Sequence, residues 1–415
     1  MPSEEALIMA LCRPELNDIS TRSLLSSDLD WSRVSEVAAR NRLDAILFHS
    51  LDRLGVFPQL PHATQLAFEN QYAQTVLNVG VYLNAAADLT EECVRRGLAV
   101  VVLRGLALGM TVYDKPYLRP FSDLDLLVRP GDFDAVRSVM LEMGYERRQG
   151  TLPEGYFRRH HLHVAMDNAA TGVKAELHWA LDHPYTLYTV DVGELIDSRQ
   201  HASFMDEWIA VLTPEDCLLT LCLHLLKHAP FLADLMREDD FLPLLLRGRQ
   251  MIWLLDIHQL LNRYGPTLNW DQVARKAGAW GLRDALAVCL EAVRRACGSD
   301  GTVKGPCAII APEGRGIRKR ISRVQVKILR DNEPPSGLPR LLFGLRGDAV
   351  FRPVRALDLC DYLLPPREFM MRRYGAHNGP FLLWWYPVHV ARAFGRLAAN
   401  ACEYFYQRIR GRPAN

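Results

Sequence analysis

Phe121-Ser122-Asp123-Leu124-Asp125-Leu126-Leu127-Val128 reads as a short buried strand, entered through a serine and closed by Arg129-Pro130-Gly131. Side chains on a strand alternate between faces, so Asp123 and Asp125 point one way while Leu124 and Leu126 point the other. Adjacent carboxylates repel and raise each other's proton affinity unless a cation lies between them. On repulsion alone, Asp125→Asn is expected to leave stability unchanged or to raise it. Hard divalent cations favour such oxygen ligands, and Mg²⁺ commonly takes one or two carboxylates together with substrate phosphates. A lone D-x-D more often marks two solvated aspartates. The surrounding sequence has to decide.

Upstream, Leu98–Leu103 is a β-branched run ended by Arg104-Gly105, and a short helix is expected over Leu106–Tyr113. A strand-to-helix turn with a close-approach glycine, a helix N-terminus and a guanidinium favours anions. Downstream, Asp132 caps a helix with Phe133, Val136, Met140 and Met143 on one face, followed by Gly144. Two further strands are expected at His161–Asp167 and Val173–Trp179. In the second, Val173, Ala175 and Leu177 share one face and Lys174, Glu176 and His178 the other. Metal-dependent phosphoryl chemistry needs a third oxygen ligand on a neighbouring strand, and Glu176 fits. The pattern gives an α+β protein: a small mixed sheet with helices on one side.

The 415 residues suffice for two or three domains. Four segments are expected: a helical N-terminal region at 1–97, a sheet core at 98–182, a helical domain at 183–300, and a basic, aromatic-rich helical extension at 301–415. Asp30 caps the helix that starts at Trp31, Pro61 opens a long helix to Arg96, and Thr213-Pro214-Glu215-Asp216 is a strong helix start. A net charge of +1 gives no overall pull toward nucleic acid or anionic membrane. Nine cysteines without a C-x-x-C pair, and no signal-peptide pattern at Met1–Asp18, lead to an expectation of a cytoplasmic protein with reduced thiols. The apolar run Pro380–Ala391 is too short to span a bilayer.

Leu103-Arg104-Gly105, Leu118–Val128, Gly144-Tyr145, Glu176-Leu177-His178-Trp179 and His224-Leu225-Leu226-Lys227-His228 together resemble the uncharacterised nucleotidyltransferase family, within the DNA-polymerase-beta-like nucleotidyltransferase superfamily. The resemblance covers roughly residues 30 to 290, with a looser likeness from Tyr362 to Tyr374. It implies transfer of a nucleoside monophosphate from an NTP such as ATP to a hydroxyl acceptor, with release of pyrophosphate. By the same resemblance Asp123, Asp125 and Glu176 would hold two Mg²⁺ ions, and Glu176 would help deprotonate the acceptor. Arg104, Gly105 and Ser122 would contact the nucleotide. Close relatives usually carry Lys-Gly where this chain has Arg104-Gly105, and arginine differs from lysine in bulk and geometry. A non-catalytic binding or assembly module and a D-x-D glycosyltransferase are the alternatives. A small molecule or peptide is favoured over nucleic acid as the acceptor, and the sequence leaves oligomeric state open.

Other signals are weaker. His224 and His228 have the i, i+4 spacing of a zinc-protease helix, but Leu225 stands where its glutamate belongs, so a buried, hydrogen-bonded histidine pair is expected ahead of a ligand or substrate contact. Lys227 could reach a phosphate from the same helix. His161 and His163 share a strand face without a nearby cysteine, which argues against a structural metal there. Arg119 could brace its loop or touch nucleotide. Gly298–Gly316 reads as a linker and Arg315–Arg330 as a charged helix face able to meet RNA.

Overall fold

The structure is a computed structural model that describes residues 3–13, 18–148, 161–183, 188–229, 241–248, 251–297, 364–365, 367–374 and 385–392, with the single positions 158, 232 and 236. The linker at 298–316 and the basic run at 315–330 lie outside the described residues.

Helices fill the N-terminal part: α1 (Ser3–Leu11), α2 (Asp18–Leu25), α3 (Trp31–Asn41), α4 (Asp44–Arg53) and the 34-residue α5 (His62–Arg95). Asp30 caps α3 through its carboxylate, which accepts from the Arg33 N–H. The sheet region follows as β1 (Val100–Leu103), α6 (Arg104–Thr111), β2 (Leu124–Val128), α7 (Phe133–Glu142), β3 (Tyr145–Arg147), β4 (His163–Asn168) and β5 (Lys174–His178). After α8 (Val192–Asp197) come β6 (Gln200–Phe204) and β7 (Glu207–Val211). The chain then returns to helices: α9 (Pro214–His228), α10 (Phe241–Arg247), α11 (Met251–Tyr264), α12 (Trp270–Ala279), α13 (Arg283–Cys297) and α14 (Arg367–Tyr374). This is the α+β architecture expected, a mixed sheet flanked by helical N- and C-terminal regions.

The described strands form one seven-stranded sheet in the order β3-β4-β5-β2-β1-β7-β6. β2 is central, antiparallel to β1 and parallel to β5. The sheet is larger than the sequence suggested. β6 and β7 lie beyond Asp182 yet join it through a parallel β1–β7 contact, a long-range pairing with no local sequence signal.

Helices also cover both faces, not one. Val100, Val102, Leu124, Leu126, Val128, Ala175 and Leu177 pack in one core with Tyr82, Leu83, Leu89, Val136 and Met140 from α5 and α7. Val101, Leu103 and Leu127 face the other way, into a core built with α1, α3, α4 and α9–α13. Strands buried on both faces read as continuous apolar runs, as β1 does, and such runs hide which side is covered. Asp125 interrupts this second, helix-covered face.

The described residues divide into two compact units. The first holds the sheet and the helices through Cys297. The second includes residues 161, 183 and the described C-terminal segments, where Tyr374 stacks on Trp385 at 4.8 Å and the Tyr386 hydroxyl donates to the Pro365 carbonyl at 2.8 Å.

Candidate active site

The backbone register brings the key carboxylates together. Asp125 on β2 is the direct parallel partner of Glu176 on β5, and Leu103, the last residue of β1, is its antiparallel partner on the other side. The next residue, Arg104, has φ 43°, in the left-handed region that a side chain adopts only at a cost. Gly105 follows with φ 19° and ψ −100°, and a Cβ there would sit 2.9 Å from the Phe121 Cβ. Only glycine lets the turn press this closely on the residue that opens the D-x-D strand.

The turn aims Arg104 back over the sheet. Its Nε donates to Asp125 Oδ2 at 2.9 Å, Nη2 to Oδ1 at 2.5 Å, and Nη1 to His224 Nδ1 at 2.7 Å. His178 Nε2 lies 2.9 Å from the same Asp125 Oδ1. His224 therefore accepts at Nδ1 as a neutral imidazole. Burial, then the neighbouring Arg104 charge, holds its pKa well below the usual histidine range. Arg104 has five N–H donors, so two remain beyond these three bonds.

The three carboxylates differ in electrostatics. Burial pushes Asp125 up, but Arg104 and the bond from His178 outweigh it and hold the carboxyl well below the ordinary range. Asp123 is raised by burial and then by the charges of Asp125 and Glu176, with Arg42 and Arg104 opposing. Glu176 is raised by burial yet lowered on balance, chiefly through His178 and His163. Asp125 and Glu176 are register partners and Asp123 feels the charge of both, but the cluster whose donor atoms lie within 4.8 Å of one another among the described residues is His163, Glu176 and His178. Carboxylate oxygens such as those of Asp123, Asp125 and Glu176 are the donors a hard divalent cation takes. Asp125 accepts three hydrogen bonds, which leaves about one of its roughly four lone-pair positions for a metal.

Not every expected residue converges. Ser122 is exposed at the strand entry, 3.5 Å from Arg42 Nη2 through its Oγ, while its carbonyl accepts from the Tyr82 hydroxyl at 3.0 Å. Tyr82 also accepts from the Lys174 N–H at 3.3 Å, so α5 ties the start of β2 to β5. Arg119 braces its loop. It forms a bidentate pair with Asp256 of α11 at 2.6 and 2.7 Å, the Tyr113 hydroxyl joins the same carboxylate at 2.7 Å, and both charged side chains are almost fully buried. His224 and His228 pack with Trp253, His228 stacking on it at 4.6 Å, but His228 is exposed and His224 bonds to Arg104, so they do not form the buried, hydrogen-bonded pair expected. Lys227, one turn along α9 from His224, is pushed down to about 8 by burial and then by Arg104, while Asp182, Asp125 and Glu176 pull the other way.

Sequence reasoning missed two residues. His178 contacts Asp125, and His163 Nε2 comes within 3.4 Å of Glu176 Oε2. The signal for His178 is its shared face with Glu176. For His163 the want of a nearby cysteine points away from a metal, whereas the β4–β5 register pairs it directly with His178.

The model of the family described as "Uncharacterised nucleotidyltransferase" matches residues 27–298. The chain belongs to that family. Membership supports a general role in nucleotidyl transfer. The fragments quoted above all fall within the matched span except the looser C-terminal likeness. No curated protein matches the chain. Among solved structures, an antigenic nucleotidyltransferase-like protein from Paracoccidioides brasiliensis is 13% identical, with a TM-score of 0.28, covering 50% of this chain and 92% of that one. That likeness is too slight to bear on the site. Within the described sheet a single strand, β1, precedes β2 in the chain, short of the α/β region a D-x-D glycosyltransferase needs there. No helix among the described residues is long and apolar enough to cross a membrane.

Proposed function

We propose that this family member transfers a nucleoside monophosphate from an NTP to a hydroxyl acceptor, releasing pyrophosphate. The observation that supports it is the Asp125–Glu176 register, with Asp123 held at a raised pKa beside both. Asp123, Asp125 and Glu176 would hold Mg²⁺, which supplies charge stabilisation to phosphoryl oxygens when bound. In the transfer the acceptor oxygen bonds to the α-phosphorus, the bond to the pyrophosphate oxygen breaks, and Glu176 takes the hydroxyl proton. Its lowered pKa keeps it ionised for that role near neutral pH. Arg104 orients Asp125 and offers its two remaining N–H groups to phosphate oxygens. Gly105 permits the turn that positions it.

Titration calorimetry with Mg²⁺ and each NTP tests the reading. Micromolar binding of at least one NTP is expected, and a folded protein that binds none would sink it. A second reading, a non-catalytic binding or assembly module, is favoured by one observation: Asp125 is already neutralised by Arg104 and His178. Nucleotide binding without turnover on any acceptor would select it.

Lys227 adds a pH signature. Its folded pKa, about 8, lies below the usual value of about 10.4 for lysine, so it loses its proton as pH rises through about 8. NTP affinity measured without divalent cation should therefore weaken above pH 8. Lys227→Met should weaken affinity at pH 7 by roughly tenfold and flatten that dependence. An unchanged slope in the variant would remove Lys227 from phosphate binding.

A further inference from the structure

We infer that His163, Glu176 and His178 form a site for a borderline transition-metal ion of the Zn²⁺ class, separate in donor chemistry from the all-oxygen set of Asp123, Asp125 and Glu176. His163 Nε2 lies 3.4 Å and His178 Nε2 3.5 Å from the same Glu176 oxygen, Oε2. Ligands bound at about 2.0–2.1 Å around a tetrahedral ion are about 3.4 Å apart, so both separations are those of a ligand shell. All three donor atoms lie within 4.8 Å of one another.

The fold fixes this convergence. His163 on β4 and His178 on β5 are direct antiparallel partners, and Glu176 is two residues from His178 on the same face. The Nδ1 atoms of both rings are buried without a hydrogen-bond partner among the described residues, so Nε2 is each ring's polar outlet. His178 is 1% exposed and cannot turn to solvent instead. Without a metal, His178 Nε2–H donates to Asp125 Oδ1 at 2.9 Å, so binding an ion at Nε2 breaks that bond and moves the ring proton to Nδ1 or to solvent.

Two imidazoles with one carboxylate select against Mg²⁺, which prefers oxygen ligands in octahedral array, and in favour of Zn²⁺, Co²⁺ or Ni²⁺. Three protein ligands also leave a coordination position open for water or a substrate atom.

Cobalt is the probe. The full chain, freed of metal with a chelator, is titrated with Co²⁺ and followed by visible absorption. The expected result is about one equivalent bound, with the intense bands of a low-coordinate site that Zn²⁺ abolishes and Mg²⁺ does not. His163 is partly exposed on its strand, so His163→Asn should fold, as a thermal melt will check, yet bind Co²⁺ more than about 100-fold less tightly. Glu176→Gln serves as the second variant. Asp123→Asn, outside this donor set, should keep Co²⁺ affinity while losing Mg²⁺-supported transfer, which separates this inference from the reaction proposed above. Equal Co²⁺ affinity in His163→Asn and the parent, an absence of the bands, or loss of Co²⁺ in Asp123→Asn would each overturn it.

Discussion

Asp125→Asn is expected to lower nucleotide transfer by roughly 1000-fold or more, because it removes the charge from the carboxylate at the centre of the proposed site. It should also destabilise the fold, against the expectation from carboxylate repulsion alone. At this position attraction outweighs repulsion. Asp125 lies between Arg104 and His178, and its surroundings are cationic enough to hold its pKa down. The Arg104 and Asp125 side chains are 13% and 12% exposed, so asparagine would leave a mostly buried guanidinium without its counter-charge. Breaking such a pair costs about 3 kcal/mol. The pH sign follows from the depressed folded pKa. The stabilisation is complete above the unfolded carboxylate value of about 4 and fades only as pH falls through the lower folded value. Melting curves of parent and variant should thus differ by a constant amount from pH 5 to 8 and converge only in strong acid. Substantial residual transfer would take Asp125 out of the mechanism. Equal melting temperatures would show that Arg104 gains nothing from the pair.

The largest effect on stability is expected at Arg119. Arg119→Met deletes one partner of an ion pair that is almost wholly buried and leaves Asp256, with the Tyr113 hydroxyl, holding an uncompensated charge between α11 and the connection from α6 to β2. A cost of about 3–5 kcal/mol follows. Because Arg119 directly precedes Pro120 and the D-x-D strand, transfer should fall as well, through misplacement of β2. The double variant Arg119→Met with Asp256→Leu should recover much of the lost stability, since removing both charges removes the unpaired one. Calorimetric melting of the parent, the single and the double variants checks this. If the single change costs less than about 1 kcal/mol, the pair does not anchor the loop.

Local signals carried most of what the sequence revealed. The D-x-D alternation, the glycine turn after β1 and the caps at Asp30 and Thr213 depend on residues a few positions apart, and each forms an element or turn close to where it was expected. The four short strands anticipated each recur within a few residues of their expected bounds. The pairing of β7 with β1 joins segments about a hundred residues apart through backbone groups, so no side-chain pattern announced it. The same holds for Arg104. Its arginine character and its turn were readable, and both suggested an anion. That the anion in this structure is Asp125 depends on how far the turn bends back, set by φ at Arg104 and by the Phe121 contact at Gly105. His163 was visible as a strand residue. Its approach to Glu176 required knowing which strands are neighbours.

Because β2 is hydrogen-bonded on both sides, to β1 and to β5, its register is fixed twice. A slip of one residue would have to break both ladders, and it would bring Leu124 or Leu126 opposite Glu176 while turning the aspartates into the apolar core. The spacing of Asp125 and Glu176 is therefore a property of the sheet backbone, insulated from the helices and connections around it. Those parts can lengthen, shorten or be rebuilt for a different acceptor without retuning the distance on which the chemistry depends.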